Sequence, residues 1–194
     1  YGSTGDYSSS TINSNGTIKG TGSHATGIYI ENNGASSTAN LVLSSASNID
    51  LKDSENGIGL YTDNTDISGT NAGTITVGEN GVGIYAKNGT STLNNLTLNL
   101  FGDNSLGIYT DGTNSFTGNG TVNVDGKNAV IFNILGTGSF SQNFNITSTS
   151  GSSYIFGNIK NTSIYSNSSV NLSENGIYIN GVNSAVLLGE NSNL

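Results

Sequence analysis

A short triplet returns along the chain at a nearly constant interval, and this repeat constrains the fold more than any other feature. The triplet combines glycine, an aliphatic residue and tyrosine. Its copies are Gly27-Ile28-Tyr29, Gly59-Leu60-Tyr61, Gly83-Ile84-Tyr85, Gly107-Ile108-Tyr109 and Gly176-Ile177-Tyr178, with diverged copies expected at Val130-Ile131-Phe132 and Tyr154-Ile155-Phe156. Their aromatic positions are separated by 32, 24, 24, 23, 24 and 22 residues. A fixed period of about 20–50 residues indicates a solenoid or an array.

Composition decides which partners are poor candidates. The 194 residues include 28 Gly, no Cys and only 9% charged residues, and the net charge is −8. Low hydrophobicity can indicate disorder, but here the apolar residues recur at fixed places, so periodicity outweighs composition. Five Lys without Arg form no cluster that could grip phosphates, which argues against nucleic acid and acidic lipids. A chain without Cys has no disulfide framework, and no run approaches the length of an apolar membrane span.

The repeat unit alternates with a period of two residues. Within residues 81–87, Val82, Ile84 and Ala86 share one face, and the glycines and Tyr85 share the other. The alternation predicts that the aliphatic face points inward and that the glycines and tyrosine point outward. With no helical period and no proline, the sequence predicts an all-β chain. We expect a right-handed, single-stranded parallel β-helix (β-solenoid) of about 7–8 rungs of about 24 residues, with three short strands per rung.

Residues 1–194 are predicted to form a single β-helix segment. Residues 1–24 form an irregular first rung, and residues 31–55 belong to a rung with a longer loop. The chain begins and stops in the middle of the pattern, so we expect it to be a fragment of a longer array.

Asparagines form a second ladder at the turns. Asn tolerates left-handed backbone, and its amide can bond to its counterpart one rung away, so we predict a structural role. The ladder comprises Asn56, Asn80, Asn104, Asn128 and Asn175. The acids that precede several of these asparagines stand singly on each turn and supply too few carboxylates for calcium, so no metal site is predicted.

An outward aromatic ladder is the first candidate for function. Two interpretations stay open, because stacked rings can stabilise a sheet or can bind sugars and proteins. Its members are Tyr29, Tyr61, Tyr85, Tyr109 and Tyr178.

A contiguous outward apolar patch is the second candidate, at the two diverged copies. Such a patch marks a binding interface or a surface that a loop or another domain covers. The predicted binding residues are Val130, Phe132, Ile134, Tyr154 and Phe156.

Catalysis has little support in the sequence. His24 is the only histidine, and it lies in a Ser/Thr/Gly stretch without a nearby acid. A Ser–His–Asp triad needs positioned partners, and no acid cluster recurs with a cationic partner. We therefore predict no catalytic residues, no enzyme activity and no cofactor.

The Gly-Ile-Tyr strand followed by an Asn-Gly-Thr turn, as in Tyr85-Ala86-Lys87-Asn88-Gly89-Thr90, resembles the passenger repeats of type V autotransporter adhesins. It is most similar to the large fusobacterial outer-membrane adhesins of the RadD type, and the resemblance covers about residues 25–188. The resemblance implies a signal peptide upstream, a translocator barrel downstream and a place on the bacterial cell surface, anchored to the outer membrane. The absence of Cys fits a passenger that crosses the periplasm unfolded.

The expected function is non-covalent attachment to a host-cell protein, a host glycan or a partner bacterium. The repeat motif is structural, so the resemblance transfers no binding residues. Two alternatives stay open: a passive stalk that presents a distal binding head, and a polysaccharide-processing enzyme on the same fold.

Overall fold

A computed structural model of the chain describes residues 2–3, 9–33, 38–135, 137–149, 151–160 and 188–190. Every regular element in these ranges is a β-strand. The strands are β1 Gly2–Ser3, β2 Ser9–Ser14, β3 Thr17–Lys19, β4 Thr26–Glu31, β5 Thr38–Leu43, β6 Asn48–Leu51, β7 Ile58–Asp63, β8 Thr65–Gly69, β9 Thr74–Val77, β10 Val82–Leu100, β11 Leu106–Val124, β12 Ala129–Leu135, β13 Thr137–Ser148, β14 Tyr154–Lys160 and β15 Leu188–Glu190.

Parallel pairing joins these strands into a β-solenoid of about 5 turns. One stack of neighbours runs in the order β1-β4-β7-β10-β11-β12-β14-β15, while β2 and β3 pair with β5 and β6, and these pair with β8 and β9. The pairing predicted from the repeat is therefore confirmed at this level, together with the all-β class. Parallel strands buried on one face need successive turns to cover their core, as in repeat proteins generally.

Two strands of 19 residues, β10 and β11, pass around the corners of the solenoid without losing their pairing. The register between them shifts between Lys87 and Gly89 and between Leu93 and Leu96. At these shifts Asn88 and Asn95 have φ values of 51° and 53°. Asn enters this left-handed region more readily than most side chains do, so it turns the strand while the ladder continues.

The core lies inside the stacked turns and is aliphatic for most of its length. Leu60, Ile84 and Ile108 occupy the same position in consecutive turns and are fully buried. Each such side chain contributes roughly 1.5–3 kcal/mol when it leaves water. Around β12 and β13 the core becomes aromatic, with Phe132 5.1 Å from Phe140 and 5.9 Å from Phe144 between ring centroids.

The predicted outward direction of the triplet glycines is wrong. A Cβ on Gly83 would stand 2.5 Å from Leu98 Cδ1, a core side chain, and 2.6 Å from the Gly107 carbonyl oxygen of the next turn. Gly59 is equally confined, by Ile75 and by the Gly83 carbonyl oxygen. The strand therefore departs from simple alternation at its first residues, and only glycine leaves room for the core and the neighbouring backbone.

Val82, the residue before Gly83, was predicted inside, and this is also wrong. Val82 is half-buried and belongs neither to the buried core nor to the half-buried side chains packed against it among the described residues. Its partners Ile58 and Leu106 in the neighbouring turns share this placement. These aliphatic side chains therefore contribute to the outer surface of the stack.

Candidate functional site

The outer face of β4, β7, the first parts of β10 and β11, and β12 carries two columns of side chains. An aliphatic column consists of Ile58, Val82, Leu106 and Val130, which pair in consecutive turns. A tyrosine column lies three residues further along the same strands and consists of Tyr29, Tyr61, Tyr85 and Tyr109. We call the two columns together the front strip. The glycines between the columns, Gly59, Gly83 and Gly107, are buried against core side chains and the backbone of the next turn.

The tyrosine rings contact one another from turn to turn. Tyr29 stacks on Tyr61 at 4.7 Å with an interplanar angle of 5°. Tyr61 meets Tyr85 edge to face at 5.0 Å, and Tyr85 meets Tyr109 in the same way at 4.5 Å. Pairs of this kind contribute about 0.5–1.5 kcal/mol each beyond their buried area. All four rings are half-buried, so the column stabilises the sheet and leaves part of each tyrosine accessible to solvent.

A charged margin borders the tyrosine column two residues further along each strand, at Glu31, Asp63, Lys87 and Asp111. Tyr29 donates its hydroxyl to Glu31 Oε2 at 2.6 Å. Asp63 is nearly buried and accepts from Lys87 Nζ at 2.9 Å and from Asn88 Nδ2 at 3.2 Å. Three acids and one lysine leave the margin negative, in line with the charge of the whole chain.

Two tyrosines of the column, Tyr61 and Tyr109, have raised pKa values. Burial raises the pKa of Tyr61, and the nearby Asp63 carboxylate raises it further. Burial also raises the pKa of Tyr109, with Tyr85 as the next cause. The hydrogen bond from Lys87 to Asp63 raises the pKa of the Lys87 ammonium. At physiological pH the front strip therefore offers phenol donors and acceptors beside an ion pair.

The asparagine ladder lies at the turn that precedes the aliphatic column, two residues before each member of that column. Its described members are Asn56, Asn80, Asn104 and Asn128, with φ values of 56°, 53°, 56° and 57°. Asn104 Nδ2 donates to Asn80 Oδ1 at 3.3 Å, and Asn128 Nδ2 donates to Asn104 Oδ1 at 3.4 Å. The side chains satisfy one another and hold left-handed backbone, which is a structural arrangement. Asn175 lies outside the described residues.

The predicted apolar patch does not lie on the surface. Phe132, Ile134 and Tyr154 are 2%, 4% and 1% exposed and belong to the core. The predicted register failed because Asn133, not Phe132, pairs with Tyr109, while Phe132 takes the position of Ile108. Burial of Tyr154 also raises the pKa of its phenol.

Val130 keeps an outer position, as the fourth member of the aliphatic column. The side chain of Phe156 and the whole of Tyr178 lie outside the described residues.

Sequence reasoning missed the aliphatic column, although its signal is present. Ile58, Val82 and Leu106 each stand directly before a triplet glycine. Strict alternation assigned Val82 to the core, because it does not include the local departure that turns Gly83 inward. A repeated aliphatic residue before an obligatory glycine is the pattern that would have found them.

Two observations bear on catalysis and metal binding in the described part of the chain. His24 is exposed, and its backbone N–H donates to the Glu55 carbonyl oxygen at 2.8 Å. In the described ranges, no three His, Cys, Asp or Glu side chains lie close enough to hold a metal ion. No helix in the part of the chain that the structure describes is long and apolar enough to cross a membrane.

Comparison with known proteins found no match: no family model fits the chain, and no curated protein and no solved structure is significantly similar to it.

Proposed function

We propose that this chain is a segment of a surface-exposed bacterial adhesin that attaches non-covalently to host cells or other microbes. One observation carries the proposal: a rigid solenoid presents an apolar and aromatic strip, unbroken over consecutive turns, on one outer face. Contiguous apolar surface of this kind marks interaction sites. The partner is a host-cell protein or glycan or a partner bacterium, and the protein is anchored at the outer membrane of the cell that carries it.

The proposal includes the finer architecture. We infer a right-handed helix of seven to eight rungs, each with three short strands, in a type V autotransporter passenger. The separate pairings of β4 with β7, β5 with β8 and β6 with β9 support three strands per rung. Two turns run as single 19-residue strands, and positive φ values at Asn88 and Asn95 in β10 and at Gly112 and Gly120 in β11 fit the same division.

The decisive experiment measures adhesion of the purified chain. Fluorescently labelled chain should bind to epithelial cells or to other bacteria, and unlabelled chain should compete. The double variant Val82→Thr/Leu106→Thr should lower this binding at least severalfold, because it removes apolar area from the centre of the front strip. Val42→Thr is the matched control, since Val42 is a half-buried aliphatic residue on β5, away from the strip. Equal losses in both variants would contradict a role for the strip.

A passive stalk is the second candidate, and the polar ladders favour it. Asn123 Nδ2 donates to Asn99 Oδ1 at 2.8 Å, and Asn99 Nδ2 donates to Thr76 Oγ1 at 3.0 Å. In such ladders the side chains of successive turns form hydrogen bonds with one another, which suits a spacer. A folded chain that neither binds to cells nor competes with a longer adhesin would support the stalk. The polysaccharide-processing enzyme remains the third alternative, and turnover of a glycan panel by the purified chain would be needed to support it.

A further inference from the structure

The front strip has a shape and size that restrict what can bind to it. Turns about 4.8 Å apart and strands that rise about 3.3 Å per residue give four turns and four positions an area of roughly 250 Å². This is a little below the size of the largest apolar patches on ordinary monomers, which are often functional. It is about a third of the area that each partner buries in a standard protein interface. A single copy of the strip therefore suits a weak contact that a longer array repeats.

The ring packing bears on the class of partner. A sugar packs its C–H groups against the electron-rich face of an aromatic ring. In the tyrosine column, the faces of Tyr29 and Tyr61 lie against each other, and Tyr85 makes ring contacts with both Tyr61 and Tyr109. Interplanar angles of 5°, 72° and 76° along the column mean that successive rings do not form one flat platform. Single rings at differing angles, beside aliphatic side chains, match the apolar side chains of a protein better than they match a row of pyranoses.

The net negative charge of the margin beside the tyrosine column bears on which protein surfaces can bind. The margin carries Glu31, Asp63 and Asp111 against Lys87, and Asp63 is already paired with Lys87. The Glu31 and Asp111 side chains are half-buried and border the strip. A second copy of this chain would bring another surface of the same sign against them, since each chain carries a net charge of −8. Charge complementarity instead favours a separate partner with cationic side chains at the edge of its contact surface.

We propose that the front strip docks a protein, and that the docked surface is an apolar ridge bordered by lysine or arginine side chains. This inference rests on the proposed function, because it names the class of partner that the adhesive strip receives. A protein ridge would lie along the solenoid axis, with its apolar side chains over Val82, Leu106 and the tyrosine rings. Its cationic side chains would reach Glu31 and Asp111.

The test uses the whole chain and defined probes. Two synthetic helical peptides share the same leucine face, and one carries lysines beside that face where its twin carries glutamates. Cellohexaose and a galactose-terminated trisaccharide represent glycans. Binding is measured by titration with nuclear magnetic resonance, at low and at physiological salt. The lysine peptide should bind about tenfold more tightly than its glutamate twin at low salt, because several exposed charge pairs change sign.

Variants locate the binding. Val82→Thr/Leu106→Thr should lower the affinity for the lysine peptide at least tenfold, and Val42→Thr should leave that affinity unchanged. Glu31→Gln/Asp111→Asn should reduce the preference for lysine over glutamate without removing the apolar contact. Circular dichroism confirms that each variant is folded, and the charge variants keep the test valid if the threonine variant fails to fold.

Several outcomes would overturn the inference. They are equal binding of the two peptides, no binding of either, an equal effect of Val42→Thr, and binding of the oligosaccharides at the strip in place of the peptides. Adhesion to cells separates this inference from the proposed function. A chain that adheres to cells while neither peptide binds keeps the function and loses the protein partner, and a chain that does neither loses both.

Discussion

Replacing Phe132 with alanine tests the register of the solenoid at the turn where its sequence pattern changes. The ring is 2% exposed and lies 5.1 Å from Phe140 and 5.9 Å from Phe144, measured between centroids. Removing a buried phenylalanine costs about 3–5 kcal/mol in lost transfer energy and residual cavity. If the ring stood half-buried at the end of the tyrosine column, the cost would be smaller, about 1–2 kcal/mol, from partial burial and one ring contact.

Urea unfolding followed by circular dichroism measures the difference. A loss of 3–5 kcal/mol corresponds to a decrease of about 6–20 °C in Tm for a chain of this length. Solenoids can unfold turn by turn, so hydrogen exchange of the β11, β12 and β13 amides should accompany the melt and show protection lost there first. Val130→Ala is the matched control in the same strand, and its half-buried position predicts a cost below about 1 kcal/mol. A Phe132→Ala cost under about 2 kcal/mol would refute the buried register.

Three further predictions concern the scaffold. Gly83→Ala should destabilise by about 1–3 kcal/mol in urea unfolding, because its Cβ would overlap Leu98 and the next backbone; Gly16→Ala, with open space around it, should be near neutral. Asn104→Ala should cost about 1–2 kcal/mol for its left-handed φ of 56°, and Asn104→Gly should recover most of this; equal costs would contradict the backbone argument. The free energy of unfolding should fall at high pH, because the pKa of Tyr61 in the folded chain is raised above its value in the unfolded chain. The stabilisation from the neutral Tyr61 phenol is complete below about pH 10 and is lost as the pH rises through the folded pKa. Tyr61→Phe should flatten that decline in urea midpoints measured on both sides of pH 10.

The sequence predicted the period and the class of fold because both follow from constraints repeated in every turn. Asn80, Asn104 and Asn128 stand 24 residues apart because each holds a left-handed turn that few other residues adopt. Spacing of this kind reports backbone geometry directly. Tyr85 and Tyr109 have the same spacing and pair in the structure.

The register error at Phe132 has a physical origin. An aromatic side chain is compatible with either face of a strand, so its identity alone does not say where it points. The asparagine spacing would have placed Asn133 opposite Tyr109, one residue beyond the aromatic chosen from the triplet pattern. Because a one-residue slip reverses every side chain of a strand, this single choice moved Phe132 and Ile134 from the core to a surface patch.

The aliphatic column escaped sequence analysis for a related reason. The inward turn of Gly59 and Gly83 depends on the carbonyl group of the following turn and on Ile75 and Leu98, which are distant in sequence. A two-residue period describes neighbours along one strand and does not predict a contact between turns. The tyrosine column obeyed the period and was found, while the aliphatic column beside it depends on packing between turns.

The even pairing of successive turns also has a mechanical consequence. Neighbouring turns of about 24 residues are joined by hydrogen bonds that run along the solenoid axis. A turn peeled from one end by tension would release about 80 Å of extended chain, while the folded stack shortens by only about 4.8 Å. Each turn that unfolds therefore adds length to the chain. A stack anchored at one end and pulled at the other can lengthen in steps of one turn.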